Sequence, residues 1–263
     1  MKLKNGISAL WIFIGFIHVS LAQEPTPNNE VFVNPIGDNG WRVMFYNVEN
    51  FFDTFDDPAI DDDEFKPAGD KHWTYYRYKE KLNNIAKTSI AVGGWEAPAI
   101  IGLCEIENFQ VLLDLTLDTP LKKFGYQIIH ENSQDLRGID NAILYLPDKL
   151  KKIDHHSIQV DTKEKFKTRD ILYASFSFIE MDTIHFFVNH WPSRFGGKEF
   201  TEEKRLLAAK SLRTKVDSLL FIYSGPKIFI MGDFNDELYN LSSTDYKDGK
   251  GTLVFKEIDH TWF

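Results

Sequence analysis

Cysteine is almost missing from this chain of 263 residues. Cys104 is the only one, so no disulfide can form within the chain. It follows the run Ile100-Ile101-Gly102-Leu103, which is typical of a buried strand. In such a setting cysteine behaves as a small hydrophobe. We therefore predict that Cys104 is structural and is not a catalytic nucleophile.

Two common types of hydrolase site have no support in the sequence. There is no cysteine pair and no His-x₃-His spacing, and the adjacent residues His155 and His156 would diverge on a strand. A zinc site is therefore a poor fit. No Gly-x-Ser-x-Gly motif is present, so the chain lacks the nucleophile elbow of a serine hydrolase.

An excess of positive charge is also missing, since the formal net charge is −9. The chain has no general basic surface for tight binding to a nucleic-acid duplex. A nucleic-acid substrate is still compatible with this charge, because a bound metal ion can supply positive charge locally.

The N-terminus has no long hydrophobic run. The apolar stretch Ile7–Ile17 is shorter than the roughly 20 residues of a membrane span. Lys2 and Lys4 precede it, and small residues follow near Ala22. This pattern predicts a signal peptide over residues 1–22, cleaved near Ala22. The mature protein would then be secreted or periplasmic, without a stable membrane span; a retained membrane anchor is the alternative.

The rest of the chain reads as a linker followed by one domain. Residues 23–40 are rich in Pro, Asn and Gly and predict a linker, and residues 41–263 predict the domain. Two long helices, Tyr76–Val92 and Thr201–Leu220, show apolar residues at helical spacing. Several strands between them are joined by short turns. This mixture predicts helices on both outer faces of a mixed-strand β-sandwich.

Four polar clusters share one position, because each follows the end of a predicted strand. Loops at strand ends are where active sites tend to be assembled. The clusters supply carboxylate and amide oxygens, which are the ligands that Mg²⁺ prefers. They are Asn47-Val48-Glu49-Asn50, Glu105-Ile106-Glu107-Asn108, Asn189-His190-Trp191-Pro192-Ser193-Arg194 and Gly232-Asp233-Phe234-Asn235-Asp236.

Taken one at a time, these residues also have structural interpretations. Asn47 and Asp233 are typical turn residues. Glu105 is also compatible with a capping or salt-bridged carboxylate, and His190 with a buried structural histidine. The order of the clusters and their shared position at strand ends favour a functional site.

In this order the clusters resemble those of the endonuclease/exonuclease/phosphatase superfamily, which includes deoxyribonuclease I. Within it, the chain is most similar to a group of exported proteins from Bacteroidetes-type bacteria. The resemblance runs from about Trp41 to Phe263. It implies a deoxyribonuclease I-like, four-layer α/β-sandwich, with two mixed β-sheets flanked by helices. It also implies a phosphohydrolase that depends on Mg²⁺, with Mn²⁺ as an alternative.

The resemblance implies a role for each matching residue. Glu105 would be the main metal ligand, and Asn47 would support the metal or the phosphate. Asp233 would orient or deprotonate the attacking water. The other implied roles are phosphate binding by Asn235, a hydrogen bond from His190 to a phosphate oxygen, and substrate binding by Arg137 and Asn189.

The C-terminal part departs from the family pattern. Family members end with an Asp-containing strand and a later Ser-Asp-His motif. Asp259 and His260 resemble that motif, but Ile258 precedes them. We therefore expect the domain to lack its C-terminal strands and the chain to have reduced activity.

The expected function is Mg²⁺-dependent hydrolysis of phosphodiester bonds by a secreted nuclease. The substrate would be a phosphodiester, with nucleic acid as one option, and no protein partner is evident. The alternatives are a phosphomonoesterase or lipid-headgroup phosphatase on the same fold, and an inactive relative that only binds.

Overall fold

The computed structural model describes residues 12–16, 42–94, 96–163, 166–178, 183–195 and 197–236. The predicted linker 23–40, the cleavage site near Ala22 and the segment 237–263 with Asp259 and His260 lie outside the described residues. Among the described residues, no helix combines the length and the apolar character needed to cross a bilayer.

Nine strands and three α-helices alternate along the described part of the chain. In chain order they are β1 (Ile12–Phe16), β2 (Arg42–Phe51), α1 (Tyr75–Gly93), β3 (Ile100–Ile106), α2 (Phe109–Leu117), β4 (Gln127–His130), β5 (Asp140–Tyr145), β6 (Leu150–Ile158), β7 (Ile171–Phe178), β8 (Thr183–His190), α3 (Lys198–Ile222) and β9 (Lys227–Asp233).

The strands form two mixed sheets. The first sheet has the order β1-β2-β3-β5-β4, and the second has the order β6-β7-β8-β9. Each sheet has one parallel pair, namely β2 with β3 inside the first sheet and β8 with β9 at the edge of the second. The strand β1 lies within the segment that the sequence predicts to be a signal peptide, and it pairs antiparallel with β2.

Apolar side chains fill three layers, which makes the fold a four-layer α/β-sandwich and confirms the predicted class. The helices α1 and α2 pack on the first sheet through residues such as Leu82 and Leu112. Between the sheets, Phe45 and Ile143 lie in one cluster with Phe176 and Val188. The helix α3 covers the second sheet through side chains that include Leu212.

The helices begin and end close to the predicted residues because local signals define them. The side chain of Thr74 caps α1 by accepting a hydrogen bond from the backbone N–H of Arg77. Asn108 caps α2 in the same way, at 3.0 Å from the N–H of Val111. Cys104 is fully buried in β3, which confirms its structural interpretation.

Candidate active site

The ends of four strands meet at one place between the two sheets. Asn47 lies in β2 and pairs in register with Cys104 of β3, next to Glu105. His190, the last residue of β8, pairs in register with Asp233, the last residue of β9. Each pair is parallel, and the contacts of Asn47 with Asp233 and of Glu105 with His190 bring the two pairs together at one edge of the sandwich. The structure thus brings side chains from all four sequence clusters together.

Glu105 occupies an unusual backbone conformation. Its φ angle is 66°, in the left-handed region, and the pairing between β3 and β5 shifts register between Cys104 and Ile106. Its Oε2 accepts a hydrogen bond of 2.7 Å from the backbone N–H of Asn50, which also has a positive φ of 55°. Non-glycine residues in this region are strained and cluster at functional sites. The bulge holds the Glu105 carboxylate against the end of β2.

The amide of Asn47 bridges two carboxylates. Its Nδ2 donates to Oε1 of Glu105 at 3.2 Å and to Oδ2 of Asp233 at 3.0 Å. Its Oδ1 accepts a bond of 2.9 Å from the N–H of Glu49. The nitrogen of the amide therefore faces the carboxylates, whereas the expected role as a metal ligand would use the oxygen.

Asp233 and Asn235 lie in a turn at the end of β9 and not in an extended segment. Asn235 has a φ of 49°, and its N–H donates to Oδ1 of Asp233 at 3.0 Å, which closes a tight turn. Its side-chain Nδ2 donates to the carbonyl of Trp191 at 3.0 Å. The turn orients the Asp233 carboxylate towards Asn47, and the amide of Asn235 joins the ends of β9 and β8.

His190 is buried beside Glu105. It is 5% exposed, and its Nε2 lies 3.6 Å from Oε1 of Glu105. Its Nδ1 has no hydrogen-bond partner in the described part of the chain. Burial lowers the pKa of His190 well below its usual value, and the positive charges of Arg169 and Arg137 lower it further. The imidazole is therefore neutral at neutral pH and able to donate one hydrogen bond.

Asn189 differs from our expectation of substrate binding. Its exposed fraction is 0%, its Nδ2 donates to the carbonyl of Met231 at 3.2 Å, and its Oδ1 accepts from Nε1 of Trp191 at 3.2 Å. Successive residues of a strand point to opposite faces, so a strand that presents His190 to the site turns Asn189 away from it. Asn189 therefore joins β8 to β9 and is not available to a substrate.

Arg137 lies on the loop before β5, at the rim of the site. Its side chain is half exposed, and its backbone N–H donates to Oδ1 of Asp135 at 3.0 Å. Its charge reaches His190, as the lowered pKa of that residue indicates. This position is compatible with the substrate contact that the family resemblance implies.

Sequence reasoning missed Arg169, which is 7% exposed. Its guanidinium donates to Oδ2 of Asp135 at 3.0 Å and to the carbonyl of Trp191 at 2.9 Å. It therefore ties the loop that carries Arg137 to the segment that follows His190. Its position just before the apolar strand β7 could have indicated its role in the sequence. A charged residue beside a buried strand needs a buried partner.

The residues of the site fit a divalent cation. Glu105 and Asp233 share one amide donor, and neither pairs with a Lys or Arg within the described residues. Two carboxylates held this closely repel each other unless positive charge lies near them. Their hard oxygens match the preference of Mg²⁺.

A second group of acids lies in the loop between β2 and α1. Carboxylate oxygens of Asp56, Asp62 and Asp63 lie within 4.8 Å of one another. Lys66 already forms an ion pair with Asp62. This cluster is separate in sequence from the four strand ends.

The chain belongs to the endonuclease/exonuclease/phosphatase family, whose sequence model matches residues 42–256. Members of this superfamily are generally phosphoester hydrolases, and the fold is generally dependent on divalent metals. Comparison with the sequences of curated proteins gives no match.

Solved structures share the fold at low sequence identity. The human Nocturnin catalytic domain with bound sulfate has a TM-score of 0.55 at 18% identity, over 80% of this chain and 70% of that one. A mannosyl-6-phosphatase from Bacteroides thetaiotaomicron has a TM-score of 0.51 at 18% identity, over 76% of this chain and 67% of the other. TDP2 from C. elegans has a TM-score of 0.52 at 15% identity over 74% of this chain, and the match spans about half, 48%, of the TDP2 chain.

Proposed function

We propose that this protein is an exported hydrolase of phosphodiester bonds that requires Mg²⁺. The observation that carries the proposal is the meeting of Glu105, Asn47, His190 and Asp233 at the ends of four strands. Family membership supports the reaction class, and the site supports the metal.

Glu105 is the residue that would hold the ion, and the strained backbone at this position keeps its carboxylate in place. When bound, Mg²⁺ supplies positive charge to the phosphate and lowers the pKa of a coordinated water. Asn47 donates to both carboxylates and so holds Asp233 beside Glu105.

The other residues have roles that follow from their contacts. Asp233 accepts the proton of the attacking water, since its position is held by Asn47 and by the N–H of Asn235. His190 is neutral and donates a hydrogen bond to a phosphate oxygen without adding charge. Arg137 attracts the anionic substrate to the rim. Fixed donors directed at a developing charge are usually the largest contribution to such catalysis.

The test is a set of assays on the purified chain. We expect hydrolysis of bis-p-nitrophenyl phosphate with Mg²⁺, its loss with EDTA, and much slower hydrolysis of p-nitrophenyl phosphate. Cleavage of supercoiled DNA or of RNA then tests whether the substrate is a nucleic acid and which one. Faster cleavage of the monoester would favour a phosphatase, and no Mg²⁺-dependent cleavage of any of these substrates would contradict the proposal.

A further inference from the structure

A cavity of about 300 Å³ adjoins the candidate active site on the side of α1. One wall is the segment of β2 from Tyr46 to Glu49, which includes Asn47 of the site. The opposite wall is the first half of α1, with Arg77, Lys81 and Asn84. Because Asn47 belongs to both the cavity and the candidate active site, a ligand in the cavity would lie next to a phosphate held by the site.

Two cations line this cavity above one aromatic ring. The guanidinium carbon of Arg77 lies 5.4 Å from the ring centroid of Trp73, and Nζ of Lys81 lies 5.8 Å from it. The ring itself is 8% exposed, and its Nε1 donates to the carbonyl of Phe52 at 2.9 Å. Trp73 is therefore a fixed surface against which both cations are positioned.

Among the described residues neither cation forms an ion pair with an acid, although the charges of Glu49 and Glu105 act on Lys81. Lys81 donates to the backbone carbonyl of Glu49 at 2.5 Å, and Arg77 donates to the backbone carbonyl of His72 at 3.2 Å. Glu49 and Glu80 border the cavity, but neither forms an ion pair with Arg77 or Lys81 within the described residues. Two unpaired positive charges that share one cavity repel each other, and an anion between them would remove this repulsion.

Lys81 also connects the cavity with the site electrostatically. Burial lowers the pKa of Lys81, whereas the charges of Glu49 and Glu105 raise it and Arg77 lowers it. The amine thus lies within range of the carboxylate that we assign to the metal. A substrate with one phosphate at Glu105 and a second anionic group beside it would span both places.

We propose that the cavity between β2 and α1 is a subsite for a second phosphate group, adjacent to the scissile phosphodiester, and that Arg77 and Lys81 bind it. This inference rests on the proposed function and narrows its substrate to diesters that carry a neighbouring phosphate, as in a nucleotide chain. Guanidinium and ammonium groups both bind phosphate oxygens through charge-assisted hydrogen bonds.

The test compares dinucleotides that differ by one phosphate. The substrates are thymidine dinucleotides without a terminal phosphate, with a 5′-phosphate and with a 3′-phosphate. We expect kcat/KM to be higher with one of the terminal phosphates, and we expect the Arg77→Gln/Lys81→Gln variant to reduce this preference by about tenfold or more, as the loss of charged hydrogen bonds predicts. The matched control is Lys79→Gln, which changes a lysine of the same helix that pairs with Asp118 at 3.4 Å outside the cavity.

A binding experiment tests the subsite without turnover. In the Glu105→Gln background, affinity for the same dinucleotides is measured by calorimetry, and melting temperatures check that each variant is folded. Equal affinity for the dinucleotides with and without a terminal phosphate, or an unchanged preference after Arg77→Gln/Lys81→Gln, would overturn the subsite. Preferential binding that depends on both cations, together with no hydrolysis by the unmodified chain, would support the subsite and contradict the proposed function.

Discussion

The side-chain nitrogen of Asn47 lies 3.0 Å from Oδ2 of Asp233, although 186 residues separate them in the sequence. This bond joins the first sheet to the second at the edge where the strand ends meet. It also places an amide donor beside two carboxylates of the candidate site. The position of Asn47 therefore links the packing of the two sheets to the proposed chemistry.

Replacing Asn47 with alanine removes the donor that Glu105 and Asp233 share among the described residues. We expect Asn47→Ala to reduce the hydrolysis of bis-p-nitrophenyl phosphate by about 10²-fold, the typical effect of losing one fixed donor at a developing charge. Asn83→Ala is the control, because the amide of Asn83 donates to the carbonyl of Lys79 in its own helix and, in the described part of the chain, does not contact the site. Equal losses in both variants would contradict a specific role for Asn47.

Replacing Glu105 with glutamine keeps the shape of the side chain and removes its charge. We expect a large loss of activity at low Mg²⁺ and partial recovery at high Mg²⁺ or Mn²⁺, because the weakened site still offers other oxygen ligands. Rates are measured as a function of metal concentration, with Glu96→Gln as the exposed control. Full activity of the unmodified chain in excess EDTA would exclude the metal dependence.

Asp170 gives the stability a pH dependence. Burial, together with the charge of Asp140, raises its pKa to about 6. The folded state therefore holds a proton that the unfolded state loses above its ordinary pKa of 3.8, so the free energy of unfolding falls as the pH rises from 3.8 through 6. The slope is at most about 1.4 kcal/mol per pH unit.

Denaturant unfolding at several pH values measures this contribution. We expect Asp170→Asn to stabilise the protein at pH 7 relative to the unmodified chain and to have a smaller effect at pH 4. Asp148→Asn, on the exposed turn before β6, is the control. If the free energy of unfolding of Asp170→Asn depends on pH as it does in the unmodified protein, Asp170 is not the cause of that dependence.

Gly232 lets β9 approach β8 where the site is built. A Cβ atom at this position would lie 2.2 Å from the carbonyl oxygen of Asn189 and 2.7 Å from its Cβ. We expect Gly232→Ala to destabilise the protein by more than about 2 kcal/mol, since backbone cannot move away cheaply in a packed sheet. Gly225→Ala is the control, because a Cβ there meets nothing within 4 Å and only its positive φ is unfavourable. Similar melting temperatures for the two variants would contradict this explanation.

The signal peptide remains a prediction that a simple measurement checks. We expect mass spectrometry of the exported protein to find Gln23 as its first residue. Removal of residues 1–22 would also remove β1 from the edge of the first sheet. Recovery of the protein with Met1 and β1 intact would contradict the cleavage.

Local patterns predicted the elements that build the site. The helix α1 follows from apolar residues at helical spacing, and the fold follows from apolar strands that alternate with helices. The strand β6 was not predicted, because Leu150–Ile158 is an edge strand with mostly polar residues and a single fully buried side chain, that of Leu150. This strand forms because β7 offers its backbone as a partner, and the residues of β6 alone do not indicate that pairing.

The sequence by itself determined which residues stand at the strand ends, because polarity changes abruptly where each apolar strand finishes. Only the tertiary structure decided which of them face the site. Adjacent residues of a strand point in opposite directions, so His190 enters the site while Asn189 is buried between β8 and β9. The left-handed backbone of Glu105, the direction of the Asn47 amide and the buried position of Arg169 depend on contacts between distant segments, and no local pattern encodes those contacts.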